Sequence, residues 1–313
     1  IEELGKECAS TAATMMAHTS LGTAPIAIFG TDDQKQKYLP LLATGQMLGA
    51  FGLTEPEAGS DAGNTQTKAV KHGSDYIING QKVFCTNAGK AGLIIITASI
   101  EDDGENHGIG AFIIESDNPG LKIGAPENKM GWKGSDTRSI YFEDMKLPKD
   151  ALLGSPEKGF KQFLQTLTGG RITIGALSLG TAQGAYERAI KYSFEREAFS
   201  KPINQFQGVS FKLSDMALKI EASKHLVYNA AWRKDKGMNV IKEAAMAKLF
   251  ASESAMNICT EAIQVLGGYG YIHEYDVERF FRDAKILEIG EGTSEIQRII
   301  ISREILKSFQ PNE

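Results

Sequence analysis

One carboxylate in this chain stands between two glycines, within residues 289–297. Glu291 lies between Gly290 and Gly292, in a short joint that follows a helical pattern over residues 280–287. Glycines relax the backbone and leave a neighbouring carboxylate unobstructed, so Glu291 could act as a general base. The alternative is an acid that merely favours a helix N-terminus, beside glycines that end the preceding helix.

A second polar cluster occupies residues 54–63, which include two glycines, three acids, a threonine and a serine. The cluster follows an apolar strand pattern, and its hydroxyls and backbone N–H groups could bind a polar ligand. The alternative is a surface turn. No GxGxxG or GxxxxGK pattern is present, so neither a Rossmann site nor a P-loop is predicted. Downstream, Phe84 and Thr86 are two apart on a predicted strand and could bracket a flat ring.

A third cluster follows the helical pattern over residues 241–266, beginning with Gln264, Gly267 and Gly268. The alternative here is a helix C-cap and turn, with an Arg–Asp pair at i,i+4 further on. Arg196 lies in the predicted loop at residues 196–202, where it could bind a phosphate or be a solvated charge.

Composition and spacing exclude several classes of function. The 313 residues carry a net charge of −5 and 42% apolar residues, so no basic surface for nucleic acid or anionic membrane is indicated. No apolar run approaches membrane-spanning length. The five histidines show no paired ligand spacing, which argues against a metal site. Ser178 lies in a helical pattern without a nucleophile elbow.

The cysteines and the N-terminus indicate the redox compartment and the extent of the sequence. Cys8, Cys85 and Cys259 are sparse and odd in number, which favours free thiols in a reducing compartment. The sequence starts without Met, inside an amphipathic pattern, so we expect further sequence before Ile1.

The elements that must position these residues divide the chain into three predicted domains and an α+β fold. Residues 1–47 read as helical, including a helix that starts near Thr31. Residues 48–153 contain short apolar or β-branched runs, with Asn79-Gly80 as a hairpin signal, and predict a small antiparallel barrel or sandwich.

Residues 154–313 predict a helical bundle of three long and two shorter helices. The first long pattern, over residues 160–194, is rich in glycine and alanine, which suggests close approach by another helix or a ligand. For the last helix, Ser294 is the predicted N-cap, with Gln297 completing a capping box.

Taken together, the motifs resemble the acyl-CoA dehydrogenase family, in order and over essentially the whole chain. Residues 52–63 match the pattern Gly-Leu-Thr-Glu-x-x-Ala-Gly-Ser-Asp-x-Gly, and residues 264–283 match the second signature, which ends in Arg279 and Asp283. Glu291 stands where short- and medium-chain members keep the catalytic glutamate. The resemblance implies a helical domain, a β-domain and a four-helix-type bundle, assembled as a homotetramer with one FAD per subunit.

The resemblance also implies roles for individual residues. Glu291 would be the catalytic base. FAD would be bound by Phe51, Leu53, Thr54, Gly59, Ser60, Phe84, Thr86, Arg196, Phe206, Gln207, Gln264, Gly267, Gly268, Thr293 and Glu295. Substrate would contact Ser60, Arg171, Gly290 and Gly292. Within the FAD set, Arg196, Phe206, Gln207 and residues 264–268 would act across a subunit interface.

Three positions depart from the family pattern. Gly290 replaces a Tyr that is common before the catalytic Glu, which should widen the site beside the thioester. Thr168 stands where many relatives have Asp, and Phe84 where many have Trp.

The function implied by the resemblance is FAD-dependent α,β-dehydrogenation of a short or short branched acyl-CoA to the trans-2-enoyl-CoA. The thioester carbonyl would be polarised by the backbone N–H of the catalytic Glu and a flavin ribityl hydroxyl. Electrons would pass to an electron-transferring flavoprotein, in the cytoplasm of a bacterium or the mitochondrial matrix of a eukaryote. The alternatives are an acyl-CoA oxidase that uses oxygen, and a non-catalytic CoA- or flavin-binding protein.

Overall fold

The computed structural model describes residues 1–309, apart from the side chain of Glu157; residues 310–313, the end of the predicted bundle, lie outside the described part. The chain forms two compact units. The sheet unit contains residues 14–128 and 134–167, and the bundle unit contains residues 1–13, 129–133 and those from Thr168 onward.

The helices before the sheet are short. They are α1 Glu2–Glu7, α2 Ala9–Met16, α3 Ala24–Phe29 and α4 Asp32–Ala43, with a π-helical segment Ala17–Thr23 between α2 and α3. As the sequence predicts, α4 starts next to Thr31. The Thr31 hydroxyl accepts the Gln34 N–H at 3.2 Å, and the Thr31 N–H donates in return to Gln34 Oε1.

Eight strands form one sheet in the sheet unit. They are β1 Gly49–Gly52, β2 Lys68–His72, β3 Asp75–Thr86, β4 Leu93–Asp102, β5 Glu105–Glu115, β6 Leu121–Pro126, β7 Thr137–Leu147 and β8 Leu152–Leu153. The pairing order is β6-β7-β3-β2-β4-β5-β8, and β1 pairs with β4. The α+β class and the central sheet are confirmed, but within residues 1–309 the sheet stays open, and β1 and β2 both run parallel to β4.

Strand β4 begins with an unbroken apolar run because both of its faces are covered. Leu93 and Ile95 pack in a core with residues of α3 and α4, whereas Ile94 and Ile96 pack in a second core with Phe112 and its neighbours. A strand covered on both faces needs apolar residues at odd and even positions alike.

The predicted hairpin at Asn79-Gly80 is wrong. Both residues lie inside the single strand β3, where the pairing with β7 shifts register between Ile78 and Gly80. Gly80 has φ 142°, and a Cβ there would come within 2.7 Å of Thr67. The glycine therefore serves a bulge and a close backbone approach rather than a turn.

Residues 154–309 contain the predicted three long and two shorter helices. They are α5 Gly159–Glu195, which begins in the sheet unit, α6 Gln207–Asp235, α7 Ile241–Leu266, α8 Val277–Ala284 and α9 Ser294–Ser308. A hairpin of two-residue strands, β9 Glu197–Ala198 and β10 Lys201–Pro202, precedes α6. None of the helices within residues 1–309 combines the length and apolar character that crossing a bilayer requires.

The glycines of α5 allow close packing, as expected from their number. A Cβ at Gly180 or Gly184 would overlap the backbone of α1, and a Cβ at Gly175 would press on Val227 at 3.0 Å. Gly170 faces the predicted catalytic joint instead, since a Cβ there would overlap the Glu291 carboxylate. The same helix thus packs against neighbours and borders the candidate site.

Candidate active site

The Glu291 joint has an unusual backbone. Glu291 has φ 57°, in the left-handed region that non-glycine residues rarely adopt, and Gly292 follows at φ 90°. Two buried side chains donate to the Gly292 carbonyl, Lys248 Nζ and Gln297 Nε2, each at 2.8 Å. Gln297 Nε2 also lies 3.3 Å from the Glu291 carbonyl. The joint is therefore held from α7 and from α9.

The N-cap of α9 is one residue earlier than the sequence predicts. Thr293 has a non-helical backbone, and its Oγ1 accepts the Ile296 N–H at 3.3 Å, whereas Ser294 is already helical and buried. The predicted capping box is wrong for the same reason, because the Gln297 amide bonds to the carbonyls of residues 291 and 292. The Gln297 side chain would complete a capping box with Ser294, but it is bonded to the Glu291 joint instead, and Thr293 caps the helix.

The Glu291 carboxylate is placed in a low-dielectric site. The residue is partly buried as a whole, yet its Oε2 is buried and has no hydrogen-bond partner among the described residues. Burial raises the pKa of Glu291 to about 7, although the charges of Arg171 and Lys248 act to lower it. A carboxylate with such a pKa is a competent general base near neutral pH.

Arg171 borders the same carboxylate from α5. Its side chain is buried, and its Nη1 lies 3.5 Å from Thr168 Oγ1. Its Nε has no hydrogen-bond partner within the described chain. Burial lowers the pKa of Arg171, while Glu291 raises it. A buried guanidinium with an unused donor is suited to a polar atom of a ligand.

The space beside Gly290 is open. Beyond the chain neighbours, a Cβ built on Gly290 would meet only the Ile286 carbonyl, at 3.5 Å, among the residues that the structure describes. The bundle unit therefore brings together Glu291, Gly292, Arg171 and Gly290, which the sequence assigns to the catalytic and substrate positions.

In the sheet unit, the loop at residues 54–63 is fixed at one end and free at the other. Glu55 is buried against Lys82, and Thr54 O accepts the Val83 N–H at 2.8 Å. Among the described residues, no atom beyond the chain neighbours of Gly59 lies within 4 Å of where its Cβ would stand, and Ser60 is exposed. The exposed end offers backbone and hydroxyl groups to a ligand.

Strand β3 turns Phe84 outward. Phe84 has φ 58° and is 65% exposed, while the next residue, Cys85, is buried, and the pairing with β7 shifts between Lys82 and Cys85. The plain alternation that the sequence suggests for Phe84 and Thr86 is thus interrupted. Phe51 and Leu53 are partly buried, and the Phe51 ring stacks on Phe163 at 4.3 Å.

The third cluster surrounds a groove of about 460 Å³ on the bundle unit. Arg196, Gly267 and Gly268 line it together with Tyr192 and Tyr269. In the described part of the chain, no atom beyond the local backbone lies within 4 Å of a Cβ built on Gly267 or Gly268, so a ligand can approach the backbone there. A cation beside two unobstructed glycines suits a phosphate.

The remaining predicted cofactor residues lie outside the residues that line this groove. Phe206 is the N-cap of α6 beneath Lys201, and Gln207 is its first residue. Gln264 is exposed near the end of α7. Thr293 caps α9, and Glu295 is exposed in its first turn. Arg279 and Asp283 of the second signature lie 3.9 Å apart, and Asp283 accepts the Trp132 N–H at 2.6 Å.

Sequence reasoning missed two buried lysines. Lys248 and Lys82 are both 0% exposed. The available signal was a single lysine within an Ala-rich helical run for Lys248 and within a strand pattern for Lys82. Within residues 1–309, the His, Cys, Asp and Glu side chains form no group of three that could hold a metal ion.

Comparisons with known proteins agree with these features. Family models match all three regions: acyl-CoA dehydrogenase N-terminal domain over residues 1–46, middle domain over 50–145 and C-terminal domain over 157–306. The probable acyl-CoA dehydrogenase YngJ of Bacillus subtilis is 53% identical over 309 residues, which cover 98% of this chain and 81% of that protein.

Two solved structures are similar over nearly the whole chain. Butyryl-CoA dehydrogenase from Megasphaera elsdenii has a TM-score of 0.95 at 47% identity, covering 97% of this chain and 80% of that one. A structure described as the electron transferring flavoprotein of Acidaminococcus fermentans has a TM-score of 0.95 at 48% identity, covering 98% and 80%.

Proposed function

The chain belongs to the acyl-CoA dehydrogenase family, and from this premise we propose that Glu291 is the base that removes the α-proton of a short acyl-CoA thioester. The protein is an FAD-dependent oxidoreductase of acyl-CoA. The observation that carries the assignment of the base is the buried Glu291 carboxylate, whose Oε2 has no partner among the described residues and whose pKa is about 7.

The residues present fit FAD. The exposed Phe84 ring, the open Gly59–Ser60 end of the loop and the hydroxyl of Thr54 suit a flavin in the sheet unit. The groove with Arg196, Gly267 and Gly268 suits its pyrophosphate. When bound, FAD supplies the acceptor for the β-hydrogen, which leaves as hydride.

The chain's own groups carry out the proton half of the reaction. An unassisted carboxylate is too weak a base for an ordinary α-carbon, so the thioester carbonyl must be polarised. We assign this to the backbone N–H of Glu291, whose left-handed backbone is fixed at the neighbouring carbonyl. The α-proton moves to the carboxylate, the β-hydrogen leaves with its electron pair, and a trans double bond forms between the two carbons.

The substrate class follows from Gly290 and from the relatives. Butyryl-CoA is named for the Megasphaera elsdenii structure, and the open space at Gly290 has room for a substituent near the reacting carbons. Gly290→Tyr should therefore reduce the rate with a short branched acyl-CoA more than with butyryl-CoA. Rates of anaerobic flavin reduction by both substrates measure this, and an unchanged ratio would reject a role for Gly290 in specificity.

We assign the electron acceptor to an electron-transferring flavoprotein and the assembly to a homotetramer in which the Arg196 groove serves a neighbouring subunit. A structural relative is described as such a flavoprotein, and similar proteins come from bacteria and from mitochondria. We therefore place the protein in the cytoplasm of a bacterium, or in the mitochondrial matrix if the source is a eukaryote. Faster reoxidation of the reduced protein by oxygen than by the flavoprotein would favour an oxidase instead.

Glu291→Gln tests the central assignment. The variant should keep FAD and bind acyl-CoA, because Gln preserves shape and the backbone N–H, yet flavin reduction should slow by about 10⁴-fold or more. The measurement is anaerobic flavin bleaching at equal FAD occupancy, with Glu304→Gln on α9 as the matched control. Bleaching of Glu291→Gln within tenfold of wild type would mean that Glu291 is only a helix-terminal acid.

A further inference from the structure

The left-handed backbone at Glu291 must be stabilised by its surroundings. A non-glycine residue in this region is strained and persists only where neighbouring contacts enforce it. Here the two shortest of those contacts meet at one atom, the Gly292 carbonyl oxygen, which accepts from Lys248 Nζ and Gln297 Nε2 at 2.8 Å each.

Using Lys248 as this donor costs free energy, because its charged side chain is buried. It is 0% exposed and lies among Ala244, Ala245, Ala247 and Ala251, which are also buried. Its hydrogen-bond acceptor is a neutral atom, the Gly292 carbonyl oxygen. A buried cation bonded to a neutral acceptor is destabilising, so its retention calls for a functional reason.

The charged groups around the joint identify that reason. Lys248 on α7 is influenced by Glu291, Arg171, Glu288 and Glu253, and burial lowers its pKa to about 8, so it remains mostly protonated at neutral pH. The Glu291 carboxylate is influenced by Arg171 from α5 and by Lys248. On α6, Lys234 Nζ approaches the neighbouring Gly169. Lys248 is thus one of two cations that act on the carboxylate, and it also bonds to the next residue's carbonyl.

We propose that Lys248 is a positioning residue for the base: its ammonium anchors the Gly292 carbonyl, which holds Glu291 in its left-handed conformation, and its charge favours the ionised carboxylate. The inference rests on the proposed function of Glu291. It acts through the backbone and through charge, without contact to substrate or flavin.

The test compares Lys248→Met, which removes charge and donor at similar length, with Lys248→Arg, which keeps both. In Lys248→Met the limiting rate of flavin reduction at saturating butyryl-CoA should fall about 10- to 100-fold, because the base is misplaced, with little change in the half-saturating concentration. The titration midpoint of the Glu291 carboxyl should move upward, because a neighbouring positive charge is lost. Lys248→Arg should restore the midpoint toward wild type.

The midpoint is read independently of turnover, by ¹³C NMR of holoenzyme labelled at the glutamate δ-carboxyl, with Glu291→Gln identifying the resonance. Ile258→Val, fully buried on the same helix, controls for loss of stability alone and should leave midpoint and rate unchanged. If Lys248→Met does not fold, Lys248→Gln takes its place, since it also lacks the charge.

The outcomes separate the two proposals. A wild-type rate and midpoint in the uncharged Lys248 variant would overturn the positioning role, and so would the same change in Ile258→Val. If instead Glu291→Gln reduces flavin at close to the wild-type rate, the assignment of the base fails, whatever Lys248 does.

Discussion

At the Glu291 carboxylate, burial and charge act in opposite directions on one titration. Removal from water disfavours the anion, whereas Arg171 and Lys248 favour it, and the pKa of about 7 shows that burial wins. A base that is half ionised at neutral pH keeps enough proton affinity to accept a proton from carbon. The Gly170 position permits this arrangement, because any larger residue there would displace the carboxylate.

The pH dependence of the reaction should report this carboxylate. Only the ionised form accepts the α-proton, so the second-order rate of flavin reduction in the free enzyme should rise with pH and level off above about pH 7. Stopped-flow flavin reduction from about pH 5.5 to about pH 9, at substrate concentrations well below saturation, measures it. The residual rate of Glu291→Gln should lack this limb. A flat wild-type profile across that range would contradict the assignment.

Elements rather than single residues hold the predicted flavin loop in the sheet unit. Lys82 Nζ on β3 donates to Glu55 Oε1 at 2.5 Å, to Leu53 O at 3.2 Å and to Thr97 Oγ1 on β4 at 3.1 Å. Glu55 also accepts the Gln66 N–H at 2.6 Å. Burial raises the pKa of Glu55, but Lys82 and these donors outweigh it and hold the pKa below its usual value. The ion pair therefore ties the start of the loop to two strands.

Breaking this pair from one side should destabilise the sheet unit. Lys82→Met would leave the Glu55 carboxylate buried and unpaired, at a cost of about 3–5 kcal/mol. Removing both charges, in Lys82→Met with Glu55→Gln, should cost less than Lys82→Met alone. Urea unfolding of the holoenzyme and its FAD content are the measurements. A double variant that is less stable than the single one would argue against the ion pair as the source of the effect.

The sequence predicted helices better than it predicted their joints. The bounds 241–266 of α7 are those expected, because the apolar period and the glycines after Leu266 are local signals. Asn79-Gly80 misled, because pairing of β3 with β7 and the approach of Thr67 decide the conformation of Gly80. The N-cap of α9 moved to Thr293 for a similar reason, since Gln297 is engaged by the joint.

The buried lysines were beyond local reasoning as well. The contact of Lys248 with Gly292 spans 44 positions of sequence and that of Lys82 with Glu55 spans 27. A charged residue in an apolar pattern is read as exposed unless its partner is known, and such partners are set by tertiary packing. Glu291, by contrast, could be identified from the sequence because its glycines and the family signature lie beside it.

At the scale of the whole molecule, the bundle unit leaves large aromatic side chains uncovered near the Arg196 groove. Phe199 is 91% exposed and Tyr271 is 84% exposed. Phe199 lies in the β9–β10 turn, three residues after Arg196. Tyr271 ends the short 3₁₀ helix that begins at Gly267. Clustered exposed apolar residues are typical of surfaces that bind another protein. They fit the proposal that a second copy covers this region and shares the groove's ligand.

Phe199→Asp should separate the subunits and release FAD together, because a buried carboxylate at an interface is disfavoured. Arg196→Ala should lower FAD content without dissociation, since it removes a phosphate ligand but leaves the apolar surface. Val70→Asp, at an exposed position of β2 in the sheet unit, is the control and should alter neither property. Light scattering coupled to size exclusion, with FAD absorbance per chain, measures both properties in one run. A monomeric Phe199→Asp that keeps one FAD per chain would show that each subunit binds its cofactor alone.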